Sequence, residues 1–168
     1  MKKLFIILAV MFCASTASAQ KYGYIYSKKV FDVMPQYNSA VKEIDSFAKL
    51  NREIVDKKIK EVSVMYNEYQ QYASQMTNAD QVRYRDLIVK KEKEANDYEK
   101  SVFGASGTLE AKQKEMMSPI EKMVLDAVTK IANEGGYEMI FDLSLVKVTI
   151  FQSEKCDLTD KVIKLLGY

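Results

Sequence analysis

The sequence predicts an α+β protein in which both chain ends build one small β body, while residues 36–118 form a long antiparallel α-helical hairpin. Three observations carry that prediction. The stretch YGYIY, residues 22–26, has the composition of a strand, yet nothing strand-like follows for more than 100 residues, until YEMIFD and VKVTIF. Two tracks of apolar residues spaced three and four apart fill the interval, one on each side of TNADQ. A helical hairpin of that kind is too thin to bury a globular core, so the core has to come from the ends.

Residues 1–19, MKKLFIILAVMFCASTASA, stand apart from the fold. Lys2 and Lys3 precede an eleven-residue apolar run, Leu4 to Ala14, and Ala17-Ser18-Ala19 supplies small residues for cleavage, which is the pattern of a secretory signal peptide cleaved after Ala19. The apolar run is about half the ~20 residues a membrane-crossing helix needs, so no stable membrane insertion is expected. The residues before Cys13 lack the small side chain of a lipid-attachment site. Without the leader's two lysines the chain has 23 basic and 23 acidic residues. A zero formal charge disfavours a nucleic-acid partner, whose binding relies on a positive surface to displace counterions. Cys156 is then the single cysteine, so no intrachain disulfide is available, and packing or assembly has to stabilise the exported chain.

Pro35 suits a helix's first turn, where its missing N–H is no loss. From there Val41, Ile44, Ala48, Val55, Val62, Met65, Tyr69, Tyr72 and Met76 mark a coiled-coil seam, interrupted by Asn51 and Lys58. Phe47, Ile54, Ile59 and Tyr66 lie beside that seam and widen the stripe. Asn78 with Gln81 resembles a capping box and marks a new helix start. A second track then runs through Tyr84, Ile88, Ala95, Tyr98, Val102, Ala105, Leu109 and Met116, interrupted by Lys91 and Lys112. At 1.5 Å per residue, roughly forty residues per arm make a hairpin about 60 Å long.

FGASG, residues 103–107, keeps the spacing of the second seam through Val102, Ala105 and Leu109. Gly104 and Gly107 each cost a helix interior about 1 kcal/mol relative to alanine, so the stretch is either a tolerated weak point or a hinge. On propensity alone, alanine at both positions raises helicity. Past Pro119 an apolar stripe leads to Gly135-Gly136, a natural helix stop. YEMIFD and VKVTIF, joined by LSL, read as two strands with a short turn. The closing CDLTDKVIKLLGY reads as a helix with Asp157 as N-cap, Val162, Ile163, Leu165 and Leu166 on its buried side, and Gly167 as its stop. The domains expected are thus the leader 1–19, a body of 20–35 and 119–168, and a hairpin arm of 36–118. A body of roughly sixty residues is near the lower limit of independent stability, so an obligate oligomer is expected. Its interface candidates are Tyr24, Ile25, Tyr26, Met139, Ile140, Phe141, Val148 and Ile150.

The chain has no histidine. That removes Ser-His-Asp and Cys-His catalysis, His-ligated zinc and the commonest general base. No GxxxxGK[ST] or GxGxxG occurs, so neither an enzyme nor a cofactor or metal is expected. Glu92, Glu94, Asp97 and Glu99 interleave with Lys90, Lys91, Lys93 and Lys100 as on a solvated coiled-coil face. What remains is surface. Met65, Tyr66, Tyr69, Tyr72 and Met76 gather toward the hairpin tip, and Phe47, Ile54 and Phe103 lie off the seam. Methionine adapts to irregular partners, and tyrosine offers an apolar body with a polar tip.

KYGYIYSKKVFDVMPQYNSAVKEI resembles the start of the Skp/OmpH family of periplasmic chaperones, in which a short strand, a short helix, Pro and Tyr precede a long charged helix. GGYEMIFD and CDLTDKVIKLL are similar to that family's closing strands and final helix. The resemblance implies a trimer whose strands share one body and whose helical hairpins surround a cavity that holds unfolded outer-membrane β-barrel proteins without ATP. On that reading the client-binding candidates are Phe47, Ile54, Met65, Tyr66, Tyr69, Tyr72, Met76 and Phe103. Two features depart from the family. Tyr26 stands where relatives commonly carry an acid or amide. The segment Lys42 to Lys100 holds twelve basic and twelve acidic residues, so net charge gives no support for lipopolysaccharide binding. The alternative function is a structural coiled-coil adaptor of the cell envelope, which would keep its apolar residues on the seam.

Overall fold

The structure is a computed structural model and describes residues 20–145 and 149–168. The expected leader, and Val148 with the first half of VKVTIF, lie outside the described residues. The elements run β1 (Tyr22–Ile25), α1 (Ser27–Asp32), α2 (Pro35–Tyr72), α3 (Asn78–Phe103), α4 (Thr108–Gly135), β2 (Met139–Asp142) and α5 (Thr159–Leu165). Single 3-10 turns stand at Ala73–Gln75 and Glu154–Cys156. They fall into two compact units: the described residues up to Val33 together with Met123–Tyr168, and Met34–Lys122.

The first unit is organised around β1. Its tyrosines and isoleucine favour an extended pleated conformation, and it pairs in parallel with β2, Tyr22 opposite Met139 and Ile25 opposite Asp142. The ladder is extended at both ends, where the Glu138 N–H donates to the Lys21 carbonyl and the Leu143 N–H to that of Ile25, each at 2.9 Å. On the other edge of β1, Tyr24 bridges to Asp157, and the Leu158 N–H donates to the Tyr24 carbonyl at 2.8 Å. The second neighbour of β1 is therefore the segment before α5. Thr149–Phe151, the described half of VKVTIF, form no strand, and Ile150 and Phe151 are exposed. Strand composition alone does not choose the neighbour; here backbone donors at the start of α5 occupy the edge.

Side chains lock this unit together. Asp142 Oδ1 accepts from the Ser27 N–H and Ser144 Oγ from the Lys28 N–H, so the residues ending β2 satisfy the first amides of α1. Thr159 Oγ1 accepts from the Tyr26 N–H at 3.0 Å. Leu158, not the expected Asp157, holds the cap position of α5 and makes no side-chain cap hydrogen bond; Asp157 stands one residue further out and accepts from the Thr159 N–H at 2.9 Å. Val30, Leu158 and Val162 are fully buried, each contributing roughly 1.5–3 kcal/mol. In α5 the expected buried side narrows: Val162 is inside, Ile163 and Leu166 are half-buried, and Leu165 is exposed, because seven residues present only one turn to a neighbour. A Cβ on Gly23 would stand 2.5 Å from Leu158 Cδ1, so β1 and Leu158 approach as closely as they do only because that side chain is missing. Gly136, at φ +64°, ends α4, and the Tyr137 N–H reaches back to the Ala132 carbonyl.

In the second unit α2 and α3 pack antiparallel. Glu68 meets Tyr84, Glu61 meets Lys91 and Asn51 meets Tyr98, one number falling as the other rises. The cap of α3 lies one residue earlier than the sequence suggests: Thr77 Oγ1 accepts from the Asp80 N–H. Gln81 instead donates its amide to the Ala73 carbonyl, satisfying the end of α2. α4 continues through Pro119, which has no N–H for the Glu115 carbonyl.

The returning helix is broken at residues 104–107, which the preserved spacing of Val102, Ala105 and Leu109 did not indicate. Ser106 adopts φ 61°, and Glu110 Oε2 accepts from its N–H at 2.8 Å. Ala105, placed on the seam by spacing, is exposed, and Gly107 is buried in its stead. A Cβ on Gly104 would stand 2.5 Å from the Lys100 carbonyl oxygen, and one on Gly107 would fall on the carbonyl of Val102. The glycines are not weak points in a helix, so the gain in helicity expected from alanine is reversed. Replacing both with alanine should cost about 1–3 kcal/mol by overpacking against fixed backbone, read as a lower urea midpoint. A raised midpoint would show that the break anneals into helix.

Candidate functional site

The four polar interruptions of the seam prove to be its register marks. Asn51 is buried, donates to the Phe47 carbonyl at 2.8 Å, and accepts from the Tyr98 hydroxyl at 2.6 Å. Lys58 places its ammonium 5.6 Å from the Tyr98 ring centre, Lys91 pairs with Glu61 at 3.1 Å, and Lys112 with Glu43 at 2.7 Å. The hydrogen bond and charge of Glu61 hold the Lys91 ammonium above the usual lysine range. Asn51 is the buried member of the four, and a buried polar group penalises any register that leaves it unpaired; the lysine pairs are partly exposed and contribute little.

This division of labour decides which apolar residues stay available. Tyr69 stacks on Tyr84 with ring centres 6.1 Å apart, and Tyr84 donates to Glu68 at 2.8 Å, a bond that raises its phenol above the usual tyrosine range. Tyr69 is therefore occupied by the seam. Met65 and Met76 are half-buried, whereas Tyr66 and Tyr72 are 52% and 44% exposed. Phe47, Ile54 and Phe103 are half-buried, Phe47 beneath the Lys112 ammonium and Phe103 beneath the Arg52 guanidinium at 4.8 Å.

The candidates do not form one stripe. Phe47 and Ile54 each precede a seam residue, Ala48 and Val55, and share one flank of α2. Tyr66 follows seam residue Met65 and lies on the opposite flank. Ile59, already placed beside the seam by spacing, joins the second flank, and the structure adds apolar residues that the periodicity did not select: Leu50 and Val64 on the first flank, and Val82, Leu87 and Val89 exposed on α3. The signal for them was present, as large aliphatic residues at positions where a two-helix coil carries charge.

In the other unit, the interface candidates separate by burial. Tyr24 and Ile25 are only 7% and 6% exposed and belong to the unit's own core, with burial and the Asp157 carboxylate raising the Tyr24 phenol. Tyr26 and Ile140 are half-buried, the Tyr26 hydroxyl accepting from the Gln152 amide, whereas Met139, Phe141 and Ile150 are exposed. β2 has no second partner strand among the described residues. Phe141, Leu143 and Phe151 line a cleft of about 430 Å³ with Tyr24 and Cys156. No group of acids, cysteines or histidines suited to a metal occurs among the described residues, and no described helix is long and apolar enough to cross a membrane.

A small strand-centred unit together with a long antiparallel helical hairpin is the fold of the OmpH-like chaperones. The chain belongs to that family: the family model for outer membrane protein (OmpH-like) matches residues 21–166. It is 26% identical over 169 residues to the chaperone protein Skp of Vibrio cholerae serotype O1 (strain ATCC 39315 / El Tor Inaba N16961), which covers 97% of this chain and 93% of that protein. A crystal structure of an OmpH-like candidate outer membrane chaperone from Caulobacter crescentus CB15 shares the fold at 8% identity, with a TM-score of 0.67 over 89% of this chain and 85% of that one.

The Asn51–Tyr98 contact yields a direct test of the register marks. Tyr98→Phe should cost about 1–3 kcal/mol by leaving the buried Asn51 carbonyl oxygen unpaired. Adding Asn51→Leu should recover most of that loss. A double-mutant cycle by urea unfolding measures the coupling; independent, additive losses would show that the hydrogen bond does not set the pairing.

Proposed function

We propose that the protein is an ATP-independent periplasmic holdase, a chaperone that binds unfolded outer-membrane β-barrel proteins and keeps them from aggregating. The observation that carries this reading is the apolar surface on both flanks of the α2–α3 seam, which the hairpin does not need for its own pairing. Tyrosine, methionine and aliphatic side chains spread along helices offer many weak contacts, and weak, adaptable contacts suit a client with no fixed shape. A leader of the secretory pattern and the absence of a nucleotide motif fit an exported protein that works without ATP hydrolysis. No catalytic step is proposed.

The holding residues proposed are Phe47, Ile54, Met65, Tyr66, Tyr69, Tyr72, Met76 and Phe103, with Tyr69 contributing through the seam. Single alanine changes should alter holding little. Replacing Phe47, Ile54, Tyr66 and Phe103 together with serine should abolish suppression of aggregation when a urea-denatured outer-membrane β-barrel protein is diluted, with helicity retained. Added salt should weaken holding only modestly, because the arm's charges balance and long-range steering needs a net field. A quadruple variant that protects as well as the parent would favour the envelope adaptor reading.

The working form proposed is a homo-oligomer, a trimer, joined through the strand-centred unit. Met139 and Phe141 on β2, which has no second partner strand among the described residues, and Ile150 are exposed and are the candidates proposed to meet a second copy. Phe141→Asp should therefore give monomers by light scattering, with a lowered urea midpoint by circular dichroism because the small unit loses the cover that assembly provides. Ile25→Asp, by contrast, should unfold the unit itself, because Ile25 is already buried within one chain. An unchanged oligomer carrying Phe141→Asp would remove Phe141 from the interface.

A further inference from the structure

Between the start of α2 and the middle of α4, within the second unit, lies an open groove of about 550 Å³. Before the break at residues 104–107, α2 and α3 close on one another through the seam; beyond it, α2 and α4 leave this space between them. Its apolar lining comes from Val41 and Ile44 on α2 and Met117 on α4. Its charged lining is one-sided: Asp45, Glu110 and Glu121 against the single ammonium of Lys114. Glu110 spends one oxygen on the Ser106 N–H, and neither Asp45 nor Glu121 makes an ion pair with a described residue. The groove is thus locally acidic on a hairpin whose charges otherwise balance.

We propose that this groove docks client segments in which apolar side chains are flanked by lysine or arginine. The inference rests on the holdase reading and names the class of segment the groove selects. An aliphatic or aromatic side chain covers Val41, Ile44 and Met117. A neighbouring lysine or arginine lays its methylene stem along the same surface and brings its charge to Asp45 or Glu121. A segment flanked by carboxylates meets three like charges and is disfavoured. Each partly exposed ion pair changes affinity by a factor of about 1.5 to 5, so two such pairs give roughly tenfold discrimination.

The test uses the full mature protein and two fluorescent peptides with the same apolar core, one flanked by lysines and one by glutamates. The lysine-flanked peptide should bind roughly tenfold more tightly at low salt, and the difference should shrink at high salt. In the variant Asp45→Asn, Glu110→Gln, Glu121→Gln the two peptides should bind alike; glutamine at 110 keeps an oxygen for the Ser106 N–H. A photo-crosslinking residue at Ser118, on the groove wall, should capture the lysine-flanked peptide, and this readout holds even if the triple variant folds poorly. Equal affinities in the parent, discrimination that survives the triple variant, or no capture at Ser118 would each overturn the proposal. Aggregation assays on the same samples separate it from the holdase reading. A parent that protects an unfolded barrel protein without discriminating the peptides leaves the holdase standing and removes the groove. A parent that discriminates at Ser118 without protecting keeps the groove as a peptide site and removes the holdase.

Discussion

The structure depends on one four-residue strand being held on both edges. β1 pairs with β2 on one side and with Asp157–Leu158 on the other, segments more than a hundred residues further along the chain. Closing a loose loop of that length costs about 4 kcal/mol beyond a constant term, more than a few exposed hydrogen bonds return. The interval is not loose: α2 and α3 fold back along one another, which shortens the effective loop. The remaining cost is met by interlocked contacts, with Asp142 and Ser144 on the first amides of α1, Thr159 on Tyr26, and Leu158 against the bare backbone of Gly23. Remove the close approach at Gly23 and both edges of the strand are disturbed together.

Much of this architecture was legible because it follows from periodicity. The seams of α2 and α3, the turn between them and the meeting of the chain ends all follow from where apolar residues recur. What escaped had a different physical origin. The break at Gly104–Gly107 is invisible to spacing, since Val102, Ala105 and Leu109 keep step while the backbone leaves the helix. Thr77 caps α3 where Asn78 was equally plausible by composition, because the choice rests on which hydroxyl or amide reaches a free N–H. YEMIFD pairs with β1 as expected, but its second neighbour escaped because VKVTIF has strand composition, whereas that edge is taken by residues whose hydrogen bonds also start α5.

The candidate surface was legible in kind and only partly in place. Spacing places Tyr66 beside the seam, where it is exposed, but it does not separate the two flanks of α2, foresee Arg52 over Phe103, or select Leu50, Val64 and Val89. Polar residues at Asn51, Lys58, Lys91 and Lys112 explain why such a surface can exist. The buried Asn51 is satisfied in this pairing by Tyr98, with the lysine contacts beside it, so alignment does not require every large apolar side chain to turn inward. Specificity within the hairpin and adaptability outside it are then carried by different residues.

The parallel pairing of β1 with β2 also orders events in time. A ribosome delivers β1 early, and a lone four-residue strand has no stability of its own. At roughly 5–20 residues per second, it waits on the order of ten seconds until Leu158 and Thr159 are made. The contacts of α2 with α3 are nearer in sequence and become available well before then. The hairpin, with its apolar flanks, can thus form while the strand-centred unit is still open, so the long arm does not wait for the closure of the fold that carries it.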